Sequence, residues 1–373
     1  MRMMSPVVTK LSTVQDRTVQ ERNAQDSAAT SPFPWPAGSA TGIGSMPGDD
    51  PAQACAVVFG ELPDLPHLPE LPGRGAGADM IGRTAALLVG LSAETTPQGW
   101  KLAARPGRDL RRAAGFRSAD LDAAEEAGQG YQGAFKVQVC GPWTLAASLE
   151  LSRSMEPALT DPGAVADLTA SLAEGAAAHV AEVRRRLPAA TVVLQLDEPA
   201  LPRVLAGGVP SASGLTAVGP VDAAIAAGRL RDVLAAAGSF TVLHSCAPEF
   251  PFRLVMEAGA GAASFDLQQL RRSEIDTVAE AADGGMGLLA GALPTADAKR
   301  MPSPESPAPR QTASAVVTLW HRTGLPRGGL ARQVVITPAC GLAGLSPAAA
   351  HAALAHCREA ARIAPEMIEE GAR

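Results

Sequence analysis

The stretch Ser239-Phe240-Thr241-Val242-Leu243-His244-Ser245-Cys246 has the pattern of a buried strand that ends in two metal-capable side chains. Residues 239–243 form a short apolar run with β-branched members, which predicts a strand. Side chains two positions apart in a strand share a face, so His244 and Cys246 are predicted to point to the same side. An imidazole and a thiolate on one face can form half of a zinc site. The same pattern is also typical of a hydrogen-bonded histidine beside a buried free cysteine.

Short apolar strands alternate with alanine-rich helices along the chain. Strands are predicted at residues 135–140, 191–196, 239–243, 262–265, 286–290 and 333–336. This alternation is the pattern of a parallel sheet with crossover helices. About eight strand candidates over roughly 330 residues predict an α/β fold, a (β/α)8 TIM barrel. A doubly wound sheet is the alternative, but its glycine-rich dinucleotide turn is not present, because Gly42-x-Gly44 is followed by Pro47 where a third glycine is expected.

Composition and charge narrow the class of protein. The chain has 373 residues, of which 46% are hydrophobic, and a formal net charge of -6, which argues against nucleic acid and membrane as partners. Its five cysteines are widely spaced and odd in number, which favours a reducing cytoplasm over a disulfide framework. Residues 1–37 are predicted to be a disordered or loosely packed tail without a signal peptide, and residues 38–373 a single barrel domain.

Chemically capable side chains follow the predicted strands. In a barrel, the carboxyl ends of all strands meet at one rim, where active sites lie. Thiolate, imidazole and carboxylate groups together make a plausible zinc set, and Asp266 is alternatively a helix N-cap. The residues at these strand ends are Ser45, Asp197, Glu198, His244, Cys246, Asp266 and Cys340.

Five sequence blocks strengthen this interpretation because they occur in a fixed order. Together they resemble the C-terminal catalytic barrel of cobalamin-independent methionine synthase, in its short single-barrel form, over residues from about 40 to about 365. The blocks are Ile43-Gly44-Ser45-Met46-Pro47, Gly141-Pro142-Trp143-Thr144, Gln195-Leu196-Asp197-Glu198-Pro199-Ala200-Leu201, His244-Ser245-Cys246 and Pro338-Ala339-Cys340-Gly341-Leu342.

The resemblance implies a role for each matching residue. It implies that His244, Cys246, Asp266 and Cys340 bind Zn²⁺, with Asp266 in the place of the family's usual glutamate. It also implies that Ile43, Gly44 and Ser45 and the pair Asp197 and Glu198 bind the amino-acid part of homocysteine, with Asp197 as the catalytic carboxylate. The implied reaction transfers a methyl group from methyltetrahydrofolate or a corrinoid carrier to the homocysteine thiol, giving methionine.

The sequence departs from the family at three positions. Gly82 stands where the family has a glutamate that contacts the homocysteine amine, and Arg203 stands at a usually acidic, folate-facing position. The family's histidine near the seventh strand has no counterpart between Gly287 and Pro309. The missing glutamate and histidine favour one alternative, a non-catalytic zinc- or thiol-binding barrel. A second alternative is a uroporphyrinogen-decarboxylase-like enzyme, whose chemistry would favour an arginine-rich pocket that the predicted strand ends do not show.

Overall fold

The computed structural model describes residues 31–303 and 306–370. The predicted tail therefore lies mostly outside the described residues. From Pro34 onward the described chain forms one compact unit. Trp35, which the sequence assigns to the tail, is 2% exposed, and its indole Nε1 donates a hydrogen bond to the Arg332 carbonyl at 3.2 Å.

Six parallel strands form the central sheet, which is curled into a half-barrel. In the order of their hydrogen bonding they are β3 (Ala134–Cys140), β5 (Thr191–Asp197), β6 (Phe240–Ser245), β7 (Ala262–Asp266), β8 (Gly287–Leu293) and β9 (Val334–Pro338). Every neighbouring pair is parallel. The predicted α/β class and parallel sheet are thereby confirmed.

Helices cover the outer face of this sheet, which explains why its strands are almost continuously buried. The helices of the described residues are α1 (Pro51–Glu61), α2 (Met80–Ala85), α3 (Arg108–Ala127), α4 (Pro142–Ser148), α5 (Pro162–Arg186), α6 (Leu201–Ala206), α7 (Ala223–Ala236), α8 (Phe252–Glu257), α9 (Ile275–Asp283), α10 (Thr295–Ala298), α11 (Pro309–Thr323), α12 (Leu330–Gln333) and α13 (Pro347–Glu370). Single 3₁₀ turns lie at Pro72–Arg74, Ala158–Thr160, Arg272–Glu274 and Arg327–Gly329. None of the helices in the described ranges is both long enough and apolar enough to cross a membrane.

Local sequence signals fix where the long helices start. Asp161 caps α5 by accepting hydrogen bonds from Gly163 N at 2.8 Å and Ala164 N at 3.2 Å, and Pro162 occupies the first helical position. Asp50 and Asp222 cap α1 and α7 in the same way. Each cap satisfies amide groups that have no partner inside the helix.

Two extended segments, residues 39–46 and 66–70, lie between β9 and β3. Isolated parallel bridges connect Ala40 to Ile336, Ser45 to Glu70 and His67 to Lys136. Each bridge has backbone hydrogen bonds of 2.8 to 3.1 Å on both sides, such as Met46 N to Glu70 O at 2.8 Å. Proline at residues 63, 66, 69 and 72 removes amide donors from the second segment, so it pairs through bridges instead of a continuous ladder.

A second, three-stranded sheet was not predicted from the sequence. It contains the antiparallel hairpin β1 (Ser92–Thr96) and β2 (Gly99–Ala103), and β2 pairs in parallel with the two-residue β4 (Leu149–Glu150). Trp100 on β2 is 5% exposed and packs into the core, so the hairpin is anchored by one aromatic side chain.

Candidate active site

A cavity of about 210 Å³ opens at the carboxyl ends of the strands. The two extended segments, strands β5 and β6 and the loop that follows β9 all contribute to its wall, as expected where parallel strands end. Every sequence-predicted site residue lines it except Glu198 and Asp266. The lining residues are Ile43, Gly44, Ser45, Glu70, Met80, Asp197, Pro199, His244, Cys246, Cys340 and Gly341.

Cys246 and Cys340 meet although 94 residues separate them in sequence. Their sulfur atoms lie 3.1 Å apart, within hydrogen-bonding distance. Sharing one proton lowers the pKa of the Cys340 thiol and raises that of Cys246. The hydrogen bond therefore favours ionisation of Cys340, and thiolate is the form of cysteine that binds metals.

His244 lies on the wall of the same cavity, at the end of β6. Its Nδ1 lies 2.9 Å from the Ser264 hydroxyl, which fixes the ring and leaves Nε2 for a ligand. Burial lowers the pKa of His244 to about 3, with a further contribution from Lys136, so the imidazole is neutral at neutral pH. A neutral ring held by an oxygen at its other nitrogen is the usual state of a metal-binding histidine.

Gly341 brings Cys340, in the loop after β9, close to the loop of Ser45. A Cβ atom at position 341 would lie 2.1 Å from Ser45 Oγ, so a larger residue there would displace the Ser45 hydroxyl. The Leu342 amide also donates to the Ser45 carbonyl at 2.8 Å. The sequence Cys340-Gly341-Leu342 therefore couples a candidate metal ligand to a candidate substrate contact.

Asp197 is held by a buried hydrogen-bond network below the cavity. Gln195 Nε2 donates to Asp197 Oδ1 at 2.7 Å and to the Ile43 carbonyl at 2.9 Å. Burial, and secondarily the negative charge of Glu70, raises the pKa of Asp197. The network fixes both the carboxylate and the carbonyl of Ile43 before any substrate binds.

Glu198 lies outside the cavity and is engaged by the start of α4. Its Oε1 accepts from Trp143 N at 2.8 Å, and its Oε2 accepts from Thr144 N and Thr144 Oγ1, each at 2.7 Å. Burial raises the pKa of Glu198 to about 7, against the effect of these hydrogen bonds. This geometry makes Glu198 a support for α4, and the substrate-binding role assigned to it from the sequence stays a prediction.

Asp266 is not among the residues that line the cavity. Its Oδ1 accepts a hydrogen bond from Gln268 N at 2.9 Å, the N-cap-like arrangement that the sequence left open. Within the described ranges, no group of three or more His, Cys, Asp or Glu side chains is assembled to hold a metal ion. The structure thus pairs the two cysteines and places His244 on the same wall. The charge of Asp266 acts on Cys340, and its role as a ligand stays a prediction.

The comparison with protein families decides the identity of the chain. Residues 39–363 match the family model described as "Cobalamin-independent synthase, Catalytic domain". The chain belongs to this family. The family predicted from the sequence is thereby confirmed, and so is the prediction of an enzyme, a methyltransferase.

A solved structure shares the fold of this synthase domain. It is described as a B12-independent methionine synthase from Shewanella sp. W3-18-1 in complex with selenomethionine. The TM-score is 0.57 and the identity 11%, over 90% of this chain and 99% of that chain. At this identity the match supports the fold alone. No curated protein matched the synthase domain.

Two buried ionisable residues of the site were missed from the sequence. Lys136 is 0% exposed, and its Nζ donates to the Ile43 carbonyl at 2.9 Å and to Gln195 Oε1 at 2.7 Å. Burial lowers the pKa of Lys136, although Asp197 and Glu70 oppose the shift. A lysine inside a strand whose only other polar residue is Gln138 was the available signal. Glu70 lies in the proline-rich segment, and no sequence pattern there indicated a site residue.

Proposed function

We propose that this synthase domain is a zinc-dependent methyltransferase that methylates the thiol of homocysteine to give methionine. The observation that carries the proposal is the Cys246–Cys340 pair, 3.1 Å apart, on the same cavity wall as His244 and Asp197. The family supports methyl transfer, and the cavity contains the residue types that activation of a thiol requires. We also propose that the segments at residues 39–46 and 66–70 complete a closed (β/α)8 barrel, since their bridges reach both β9 and β3.

The donor set fits zinc. Two sulfur ligands and one imidazole are available, and the Ser264 hydroxyl already orients the ring of His244. Cys246, Cys340 and His244 would hold the ion, and Asp266, whose Oδ1 accepts from the Gln268 amide, is the proposed fourth ligand. When bound, zinc would lower the pKa of a coordinated substrate thiol, so that thiolate is available at neutral pH.

The chain's own residues would orient the amino acid. Asp197 would accept hydrogen bonds from its ammonium group, while Gln195 and Lys136 hold Asp197 and Ile43 in place. Ser45 would bind the polar end of the substrate from the loop beside Gly341. Walls from β5, β6 and β9 would exclude water from the reacting thiolate and strengthen these contacts.

The methyl donor is proposed as methyltetrahydrofolate or a corrinoid carrier. No histidine occurs between Gly287 and Pro309 to serve as the family's proton donor to folate, so a carrier that needs no protonation fits the sequence as well. We propose a cytoplasmic location, because Cys55, Cys140, Cys246, Cys340 and Cys357 are all free thiols.

Methionine formation tests this proposal directly. Zinc-loaded protein is incubated with L-homocysteine and, separately, methyltetrahydrofolate or methylcobalamin, and methionine is quantified. Wild type is expected to form methionine with one donor, and Cys340→Ser to lose about 100-fold or more of that rate while staying folded. Absence of methionine with both donors, from folded protein that binds zinc, would overturn the proposal.

A further inference from the structure

Another cavity lies at the end of the central sheet opposite the active site. It is a groove of about 620 Å³ over the amino ends of β5 and β6, bordered by helices α5 and α7 and by the turn that follows α8. The groove and the active-site cavity meet β5 at its two ends, which a seven-residue strand separates by roughly 20 Å. A ligand in the groove would therefore not contact the active site.

Two guanidinium groups border this groove, Arg184 from the last turn of α5 and Arg231 from α7. Among the described residues, neither arginine has a carboxylate within ion-pair distance, and no acidic side chain lines the groove. The nearby Arg185 and Arg229 differ, because each pairs with an acid on its own helix, at 3.3 and 3.6 Å. In a chain with a formal net charge of -6, the groove thus concentrates two positive charges that its surroundings do not neutralise.

A backbone carbonyl holds each guanidinium at the edge of the groove. Arg184 Nη2 donates to the Gly238 carbonyl and Arg231 Nη2 to the Glu257 carbonyl, each at 2.7 Å. Each carbonyl engages only one of the several N–H donors of its guanidinium, so the others are available to a ligand. The fork of donors matches the oxygens of a phosphate group, and its orientation is partly fixed before a ligand binds.

The other side chains of the groove are apolar or carry a hydroxyl group. The Ser239 hydroxyl is buried and has no hydrogen-bond partner among the described residues, so an oxygen acceptor brought into the groove would satisfy it. The volume of the groove lies within the range of small-molecule sites, about 300–1,000 Å³. Such a surface suits a ligand with an anionic group and an apolar body. The apolar residues are Val192, Leu234, Ala235, Phe240 and Ala258.

We propose that this groove binds an organic phosphate, with the phosphate group between Arg184 and Arg231 and the apolar body on the surface beneath them. The site goes beyond the proposed function and does not depend on it, because the groove shares no residue with the active-site cavity. The phosphate would supply the negative charge that the two arginines lack. Its charge-assisted hydrogen bonds would be about twice as strong as neutral ones.

Calorimetric titration of the full chain with phenyl phosphate tests the site, because this compound joins a phosphate group to an apolar ring. Wild type is expected to bind it saturably, and Arg184→Gln and Arg231→Gln each to weaken binding about tenfold or more. Phenol, which lacks the phosphate, is expected not to bind, and inorganic phosphate to bind more weakly than phenyl phosphate. Both arginines are exposed, so the variants are expected to fold, and thermal unfolding checks this.

Arg185→Gln and Arg229→Gln are matched controls, because they remove an arginine from the same two helices without changing the groove. Both are expected to bind phenyl phosphate within about twofold of wild type, and so is Cys246→Ser, which alters only the active site. A wild type without saturable binding would overturn the inference, as would equal losses in groove and control variants or loss of binding in Cys246→Ser. Inorganic phosphate that binds as tightly as phenyl phosphate would contradict the apolar part of the site. The methyl-transfer assay judges the proposed function separately.

Discussion

At the scale of single residues, the hydrogen-bonded pair of Cys246 and Cys340 is the feature most important for the chemistry of the site. Two sulfurs 3.1 Å apart cannot both carry a full negative charge unless a cation lies between or beside them. Zinc would supply such a cation and would displace the proton of the hydrogen bond between the two sulfurs. His244 is already neutral and oriented, so binding zinc would need little rearrangement on that side of the cavity.

Lys136 should make stability depend on pH. Burial lowers its pKa in the folded chain below the ordinary value of 10.5, despite the carboxylates of Asp197 and Glu70. Between the folded-state pKa and the ordinary pKa, the Lys136 side chain is protonated in the unfolded chain and neutral in the folded chain. The free energy of unfolding therefore rises with pH in this range. Below the folded-state pKa, the cost of burying the charge is present in full.

Urea unfolding between pH 7 and pH 10 measures this effect. Lys136→Met is expected to flatten the rise of unfolding free energy with pH, because methionine carries no proton. Lys101→Met, which removes a partly exposed lysine on β2, is the control and should retain the wild-type slope. Parallel curves for wild type and Lys136→Met would show that the buried lysine is not the source.

At the scale of secondary-structure elements, Glu198 connects the end of β5 to the start of α4. Its carboxylate accepts three hydrogen bonds, two of them from amides that α4 cannot satisfy itself. Glu198→Gln turns an acceptor into an NH₂ donor that faces these donors, so we expect a loss of about 1–3 kcal/mol of unfolding free energy in urea.

The control for that variant is Glu156→Gln. Glu156 accepts one amide, from Ala212 at 3.0 Å, in an exposed hydrogen bond where water can replace it. Its substitution should change stability by less than about 0.5 kcal/mol. Equal, small effects of both substitutions would mean that Glu198 does not hold α4, and a direct role in substrate binding would then regain support.

The contact between α2 and the hairpin also predicts a stability difference. Gly82→Ala places a Cβ against Trp100 and should cost about 1–3 kcal/mol, measured by thermal or urea unfolding. Gly228→Ala is a matched control, because it lies in helix α7 with nothing within 4 Å of its Cβ position, and alanine there should be neutral or stabilising by up to about 1 kcal/mol. If Gly82→Ala changed the free energy of unfolding no more than Gly228→Ala does, the described packing of Trp100 against α2 would be wrong.

The sequence predicted those parts of the whole molecule that depend on local patterns. Strands such as Thr191–Asp197, and the capped helix after Asp161, follow from apolar runs and N-cap signals. The hairpin at Ser92–Ala103 was missed, because its polar strands lack strict alternation and depend on Trp100 packing into the core. Whether such segments form strands depends on their tertiary contacts.

The residues of the site differ in the same way: some could be predicted from local sequence patterns, and others depend on tertiary contacts. Residues at the ends of recognisable strands, such as Asp197, His244 and Cys340, could be placed at one rim because parallel strands end together. Glu70 could not be found, because its position depends on two bridges of a proline-rich segment. The roles of Glu198 and Asp266 depend on which of several nearby amides their oxygens meet, which a linear motif does not encode.

The zinc content of purified, chelator-washed protein tests the central claim most directly. We expect about one zinc per chain in wild type and almost none in a folded Cys246→Ser variant, because two sulfur ligands are needed to hold the ion. Zinc should also raise the thermal midpoint of wild type and leave that of Cys246→Ser unchanged. A folded wild type that binds no zinc, or a Cys246→Ser variant that retains it, would contradict the account.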